Sequence, residues 1–149
     1  MSNPRPTVTE EMIRAAIMKV APQLAGDMPT TSDIESVADS IQRVYHRYMD
    51  GFDIAKALDC YESWDTTRDE MEALDAIDME VDRAHRAAEK QWGIDHPMAP
   101  PLPVGAMTTR GLIAGIYEYQ PAYYCIKETG CTDASRHLLV KFEDARAAA

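Results

Sequence analysis

The sequence has few of the features by which an enzyme is usually identified. There is no glycine-rich phosphate loop, since neither Gly111 nor Gly115 precedes a helical pattern. Its cysteines and histidines lie in no recognisable nucleophile elbow or catalytic signature. We therefore expect a protein that is not an enzyme and that needs no cofactor.

Cysteines and long apolar runs are also scarce. The three cysteines, Cys60, Cys125 and Cys131, show no CxxC spacing, which favours reduced thiols over a disulfide framework. No apolar run approaches the length of a membrane span, and residues 1–9 lack the apolar core of a secretion signal. These absences predict a cytoplasmic protein.

Positive charge is scarce in one part of the chain only. Residues 1–96 hold twenty Asp and Glu against ten Lys and Arg, whereas residues 97–149 hold five of each. The net charge of −10 repels nucleic acid and anionic lipid, because both are dense arrays of negative charge. We therefore expect no direct binding to nucleic acid or membranes, and a partner protein with a basic surface.

The acidity is greatest between Asp59 and Asp82, where ten carboxylates accompany one base, Arg68. On a helix these charges would recur about every 3.6 Å, close to the roughly 3.4 Å between phosphates along one DNA strand. Helical spacing offers no base to neutralise Asp75 or Asp78. The candidate partner-binding carboxylates are Asp59, Glu62, Asp65, Asp69, Glu72, Asp75, Asp78 and Asp82. An ordinary solvated helix face is the alternative explanation.

Apolar residues at helical spacing predict a bundle in this acidic region. Thr9 is expected to cap the first helix and Ser32 the second, and Gly51 is expected to end the second helix in a left-handed turn. A brief third helix follows, with apolar positions at Ile54, Leu58 and Tyr61.

A long fourth helix is predicted from a cap at Asp65 to Gly93. Its apolar residues form one narrow seam made of Leu74, Ile77, Val81, Ala84, Ala88 and Trp92. A seam this narrow resembles half of a coiled-coil contact, which the second helix or a second copy of the chain would complete. A homodimer is therefore a hypothesis, and a self-associating structural protein is an alternative function.

Four prolines among residues 97–103 exclude a helix and favour a stiff, extended connector. After it, the pattern predicts strands at residues 112–119, 122–127 and 137–142, so the fold class is α+β with a small antiparallel sheet. The predicted division is a flexible segment 1–8, an acidic helical domain 9–96, a proline-rich linker 97–105, a small β module 106–145 and a tail 146–149.

Three segments carry a resemblance to a known class of module. They are Gly111-Leu-Ile-Ala-Gly-Ile-Tyr117, Ala122-Tyr-Tyr-Cys-Ile-Lys127 and Arg136-His-Leu-Leu-Val-Lys-Phe-Glu-Asp144. Their spacing resembles small SH3-like or Tudor-like barrels, which implies a β module. The layout of acidic helices, a proline-rich joint and a small β-tail also looks like accessory proteins of bacterial viruses, which implies a location in the host cytoplasm.

Tyrosines cluster around the first predicted hairpin, and aromatic side chains with a polar tip are favoured at protein interfaces. Alternation along a strand cannot place all of them on one face, so we expect some in the core and some on a binding surface. These candidates are Tyr117, Tyr119, Tyr123 and Tyr124.

Metal-binding patterns are incomplete. A carboxylate-based, metal-dependent hydrolase is a second alternative function, because one side of the fourth helix carries Asp78, Asp82, His85 and Glu89. No second helix repeats that pattern. Cys125, Cys131 and His137 are candidate zinc ligands, but they are six residues apart. The ligands of structural zinc sites are usually paired two to four residues apart. No metal site is therefore predicted.

The charge pattern favours protein binding over catalysis. We expect an acidic helix that mimics nucleic acid and blocks a basic or nucleic-acid-binding surface of another protein. Such a protein would act as an inhibitor, of the anti-defence or anti-CRISPR-like kind that bacterial viruses use.

Overall fold

The computed structural model describes residues 3–133 and 135–148. Within these residues, five helices precede a four-stranded antiparallel sheet, which confirms the α+β class. The chain divides into two compact units: Thr7–His85, called here the helical unit, and the residues up to Pro6 together with those from Arg86 onward, called the sheet unit. The division falls within the last helix, earlier than the predicted boundary at residue 97.

The helical unit is built on apolar helix faces. Its helices are α1 (Glu10–Leu24), α2 (Thr31–Val44), α3 (Gly51–Tyr61), α4 (Arg68–Leu74) and the first part of α5 (Ala76–Asp95). Each contributes to one core, whose fully buried members include Ile17, Ile41, Ile54, Leu58, Leu74, Ile77 and Val81. Burial of each such side chain contributes about 1.5–3 kcal/mol, so the apolar faces determine how these helices pack.

Side-chain caps set the helix starts. Thr9 caps α1 as predicted, since its hydroxyl accepts a hydrogen bond from the amide of Met12 at 3.2 Å. The cap of α2 is Thr30, and the prediction of Ser32 is wrong. Thr30 and Asp33 form a reciprocal capping box, which starts the helix two residues earlier.

The prediction that Gly51 ends α2 is also wrong. Gly51 is the first residue of α3, and Asp50 caps that helix. A Cβ atom at Gly51 would lie 2.1 Å from the carbonyl oxygen of Met71, so glycine is required for the close approach of α3 to α4. The brief third helix itself is confirmed.

The single long helix predicted from Asp65 is divided in two. Thr67 caps α4 through a capping box with Glu70, and α5 begins at Ala76. Asp75 lies between them with helical dihedral angles, φ −60° and ψ −25°. The break lets the side chain of Asp75 accept a hydrogen bond from the amide of Gly51 at 2.8 Å.

Four of the six residues in the apolar seam predicted for dimerisation are buried by the chain itself, whereas Ala84 and Ala88 are partly exposed. Leu74, Ile77 and Val81 have no exposed surface and belong to the core of the helical unit. Trp92 is 8% exposed and lies in the sheet unit. These four residues therefore offer almost no surface to a second copy of the chain.

The sheet is an antiparallel meander in the order β1-β2-β3-β4. Its strands are β1 (Met107–Thr108), β2 (Gly111–Ile116), β3 (Tyr123–Glu128) and β4 (Leu138–Lys141). The last three correspond to the predicted strands, whereas β1 was not predicted because two residues are too few to show alternation. The core contains Ile113, Tyr124, Ile126, Val140 and Phe142.

The proline-rich segment packs on its own unit. The hydroxyl of Tyr124 accepts a hydrogen bond from the amide of Leu102 at 2.8 Å and donates one to its carbonyl oxygen at 3.0 Å. Leu102 also packs against the core of the sheet unit. None of the helices in the described residues is long and apolar enough to cross a lipid bilayer.

Arg5 lies within segment 1–8, which is predicted to be flexible. Its side chain is nevertheless only 7% exposed and is hydrogen-bonded within the sheet unit. Its partner Glu143 is 138 positions further along the chain, so local sequence gave no sign of the contact. Three residues of the predicted terminal segments, Met1, Ser2 and Ala149, lie outside the described residues.

Candidate functional site

The negative charge of the protein belongs to the helical unit. That unit holds 18 carboxylates against 7 Lys and Arg, a net charge of −11, whereas the rest of the chain has a net charge of +1. The excess is confined to residues 50–82, which carry twelve carboxylates and two bases, Lys56 and Arg68. A site that depends on excess negative charge is therefore a site on α3, α4 and the start of α5.

Ion pairs use most of the bases in this unit. Six of its seven Lys and Arg side chains lie 2.6–3.3 Å from a carboxylate, in the pairs Arg14–Asp39, Lys19–Glu80, Arg43–Glu62, Arg47–Asp78, Arg68–Glu72 and Arg83–Glu80. In these pairs the six bases contact only five of the 18 carboxylates of the unit. Most carboxylates of the unit therefore lie in none of these six pairs.

Asp78 is neutralised, contrary to what helical spacing indicated. Its carboxylate accepts hydrogen bonds from the hydroxyl of Tyr45, from Arg47 at 2.7 Å and from the amide of Tyr48 at 2.9 Å. Partial burial acts to raise the pKa of Asp78, but these hydrogen bonds and the charge of Arg47 outweigh it and hold that pKa below its usual value. Asp78 is therefore part of the framework of the unit.

Tyr45 is perturbed by the same contact. Burial, followed by the hydrogen bond to Asp78, raises the pKa of Tyr45 to about 12. The hydroxyl therefore stays protonated and donates to the carboxylate at all physiological pH values. Tyr45 and Arg47 follow the end of α2, so this network ties the α2–α3 connection to α5.

Two further predicted carboxylates hold backbone groups. Asp75 accepts from the amide of Gly51, and Asp59 accepts from the amide and hydroxyl of Thr66 at 2.9 and 2.7 Å. These bonds fix the starts of α3 and the loop before α4. Both carboxylates remain exposed, so they contribute charge as well as structure.

The other five predicted carboxylates differ in how they are engaged. Glu62 is bound by Arg43 at 2.7 Å, and that hydrogen bond lowers the pKa of Glu62. Asp82 lies 3.8 Å from Arg47. Glu72 forms an ion pair with Arg68 at 3.3 Å, and a surface pair of this kind contributes about 0.3–0.5 kcal/mol to stability. Two carboxylates are exposed and accept no hydrogen bond within the described residues, and these are Asp65 and Asp69.

An apolar depression lies within this acidic surface. It has a volume of about 200 Å³ and is lined by Asp50, Gly51, Phe52, Met71, Glu72 and Asp75. Phe52 is 61% exposed. We call these six residues the acidic groove: three carboxylates surround an exposed ring and a thioether, which suits a cationic segment with an apolar anchor.

Sequence reasoning missed Asp50 and Phe52. The charge density, which is highest from Asp59 onward, places the start of the acidic stretch after both residues. One signal was present in the sequence. Phe52 falls off the apolar stripe of Ile54 and Leu58, so a helix that buries those two residues must expose the ring.

The predicted tyrosines separate into core and surface residues. Tyr124 has no exposed surface, and Tyr123 is half-buried beneath the guanidinium of Arg5. Tyr117 and Tyr119 form an edge-to-face pair with ring centres 5.4 Å apart, and Tyr119 is 77% exposed. Tyr117 and Tyr119 are therefore the two that remain candidates for contact with a partner.

The structure does not assemble the metal-binding patterns. Within residues 3–133 and 135–148, no three His, Cys, Asp or Glu side chains come together in a group that would hold a metal ion. This covers both the carboxylate set on α5 and the cysteine set in the sheet unit. The three cysteines are free thiols in the structure.

Comparisons with known proteins add no identification. No protein-family model matches the chain, and no curated protein or solved structure matches it either. The resemblance to SH3-like or Tudor-like barrels therefore stays a prediction. What the protein does must be inferred from the chemistry of its own surface.

Proposed function

We propose that the protein is a protein-binding inhibitor whose acidic groove docks on a basic surface of another protein. The observation that carries this proposal is the excess of carboxylates over residues 50–82 that the bases of the helical unit do not neutralise. Surface charge of one sign steers association with a surface of the other sign. Phe52, 61% exposed among these carboxylates, supplies an apolar anchor.

Inhibition follows from competition for the same surface. A basic surface that takes up closely spaced carboxylates is also suited to phosphates, because both need Lys and Arg. A bound helical unit excludes nucleic acid from that surface by charge and by volume. We therefore propose a nucleic-acid-binding protein as the partner, with the proteins of bacterial defence against viruses as one such class.

The test uses carboxylates that do not hold the fold together. The neutral variant carries Asp65→Asn, Asp69→Asn and Glu72→Gln. The matched control removes the same charge from exposed positions elsewhere on the helical unit, with Glu11→Gln, Asp27→Asn and Glu35→Gln. Both variants are expected to keep the far-ultraviolet circular dichroism spectrum of the native chain.

The partner is first captured from a bacterial lysate at low salt and then purified. Its affinity is measured for the native chain, the neutral variant and the control, with and without a short DNA duplex. Loss of three favourable exposed charge contacts is expected to weaken binding roughly 3- to 150-fold, and the control should differ little from the native chain. The duplex should compete with the native chain.

Two results would contradict the proposal. Equal affinity of the native chain and the neutral variant at low salt would show that the charges of Asp65, Asp69 and Glu72, in and beside the acidic groove, do not contribute to binding. Simultaneous binding of the chain and the duplex would remove the inhibitory role. A Phe52→Ala variant serves as a further check, since it should weaken binding without changing the dependence of the affinity on salt.

A further inference from the structure

The sheet unit contains a pocket that encloses an arginine side chain. Arg5 lies in the segment before α1, and its side chain is only 7% exposed. We call the surrounding groups the arginine pocket: the side chains of Glu89, Trp92, Tyr123 and Glu143 and the carbonyl oxygens of Pro121 and Ala122. All of them belong to the sheet unit, so this site is separate from the acidic groove.

The edge of the guanidinium is satisfied by oxygen atoms. Glu143 accepts from Nε at 2.8 Å and from Nη2 at 3.2 Å, which is a two-point contact between the planar groups. The carbonyl oxygens of Pro121 and Ala122 accept from Nη1 and Nη2, both at 2.9 Å. Glu89, which is 3% exposed, lies 3.7 Å from Nη1.

The faces of the guanidinium are covered by aromatic rings. The central carbon of the group lies 4.8 Å from the ring centre of Trp92 and 4.6 Å from that of Tyr123. A cation at this distance from a ring is attracted to it, and more strongly when both are shielded from water. The group therefore has two aromatic neighbours in addition to its oxygen partners.

This arrangement selects arginine over lysine. A lysine ammonium group is a compact charge that cannot make the two-point contact with Glu143 and reach two separate carbonyl oxygens in the same plane. It also lacks the flat surface that stacks on a ring. A guanidinium group therefore matches the contacts of this pocket more completely than an ammonium group does.

Among the described contacts of Asn3, Pro4 and Arg5, the side chain of Arg5 makes most of the hydrogen bonds. No backbone–backbone hydrogen bond joins Asn3, Pro4 or Arg5 to another described residue. The carbonyl oxygen of Asn3 accepts a bond from the indole nitrogen of Trp92 at 3.3 Å, near the upper limit for such a bond. The pocket thus recognises a side chain and does not require strand pairing with the segment.

We propose that the arginine pocket is a binding site for an arginine of a partner protein, with Arg5 as the internal occupant that the partner displaces. The flanking residues define the ligand further. Arg5 stands between Pro4 and Pro6, which favour an extended backbone. The expected ligand is an arginine in an extended, proline-flanked segment.

Burial of the charged groups supports recognition as the role of the pocket. A buried ion pair contributes little to stability, because the loss of hydration offsets the attraction, and apolar side chains would hold the segment equally well. Four of the five N–H donors of the guanidinium make specific hydrogen bonds, which are not needed to hold a segment but do distinguish arginine from other residues.

The test empties the pocket in the full-length chain with Arg5→Ala. Two probes are titrated by calorimetry: the peptide acetyl-Gly-Pro-Arg-Pro-Gly-amide and the same peptide with lysine in place of arginine. The native chain competes internally with any probe, so the arginine peptide should bind the Arg5→Ala chain at least about 10-fold more tightly than the native chain. The lysine peptide should bind it at least about 10-fold more weakly than the arginine peptide.

Two further variants complete the design. Arg110→Ala removes an exposed arginine of the same unit and should bind the peptide no better than the native chain does. Adding Glu143→Gln to Arg5→Ala should weaken peptide binding. A separate measurement uses the native chain, in which millimolar arginine peptide should shift the nuclear magnetic resonance signal of Arg5 Nε–H towards that of a solvated arginine.

Three results would overturn the proposal. The first is an Arg5→Ala chain that keeps its native spectrum and binds no arginine peptide, with the Nε–H signal of the native chain unmoved. The second is an Arg5→Ala chain whose sheet unit no longer folds, because Arg5 would then be a fixed structural element. The third is a native chain that dimerises while the Arg5→Ala chain stays monomeric, which would identify the segment of a second copy as the occupant.

Discussion

Replacing Asp78 with asparagine tests the network that joins the α2–α3 connection to α5. The substitution keeps an oxygen that accepts the hydrogen bonds of Tyr45 and Tyr48, but it removes the negative charge opposite Arg47, which lies 2.7 Å away. The side chains of Asp78 and Arg47 are 23% and 22% exposed, so water replaces this contact incompletely. The change is isosteric, and the loss is therefore electrostatic.

The expected loss follows from the hydrogen bond to a charged group. Such a bond contributes about 1.5–3 kcal/mol to the free energy of unfolding. For a unit of this size, that corresponds to a fall in melting temperature of about 6–24 °C. Helix content followed by circular dichroism during urea unfolding measures the change directly. The control is Asp69→Asn, which removes an exposed charge that accepts no hydrogen bond from the described part of the chain. It should change the free energy by less than about 0.5 kcal/mol.

The effect of this substitution should depend on pH with a definite sign. The folded protein holds the pKa of Asp78 below its ordinary value of 3.8, so the carboxylate contributes stability above that pH and loses it as the pH falls through the folded pKa. The difference between the native chain and Asp78→Asn should therefore be full at pH 7 and shrink below about pH 4. A difference under about 0.5 kcal/mol at pH 7, or one that stays constant down to pH 3, would refute the ion pair.

Two further substitutions test packing in each unit by the same unfolding measurement. Gly51→Ala places a Cβ 2.1 Å from the carbonyl oxygen of Met71 and should lower the free energy of unfolding by about 1–3 kcal/mol. The control is Gly115→Ala, whose Cβ meets open space. Equal losses of stability in the two variants would contradict the close approach of α3 to α4. Tyr124→Phe removes both hydrogen bonds to Leu102 and should lower the free energy of unfolding by about 1–3 kcal/mol. The control, Tyr119→Phe, changes an exposed residue and should lower it by less than about 0.5 kcal/mol. A Tyr124→Phe chain of native stability would show that the proline-rich segment is held in another way.

Features set by neighbouring residues could be predicted from the sequence. The cap at Thr9, the short helix around Ile54 and Leu58, and the three longer strands all depend on local spacing. The cap of α2 was misplaced because two capping pairs overlap, Thr30 with Asp33 and Ser32 with Glu35, and spacing does not rank them.

Gly51 shows why a glycine is ambiguous in a single sequence. The residue has two common uses, a left-handed helix end and a close approach between backbones, and both follow from the missing side chain. The second use applies here, but the group that makes it necessary is the carbonyl oxygen of Met71, twenty residues later. No local pattern contains that information.

Contacts between charged residues far apart in the sequence are the features of the site that the sequence did not predict. Helical spacing showed no base near Asp78, yet Arg47, 31 positions earlier, binds it. The contact between Arg5 and Glu143 spans 138 positions. Local spacing thus gave the acidic region correctly but could not separate its structural carboxylates from its free ones.

That separation gives the acidic surface an experimental property of its own. Asp75 and Asp78 accept hydrogen bonds from backbone and side-chain groups of the helical unit. Asp65 and Asp69 accept none within the described residues. A partner that senses only charge would be affected alike by neutralisation of either pair, but only the first pair should lower the free energy of unfolding. Stability and binding can therefore be varied independently on one helical surface, by substitutions of equal charge. If the two pairs changed stability equally, the distinction between structural and partner-binding carboxylates would fail.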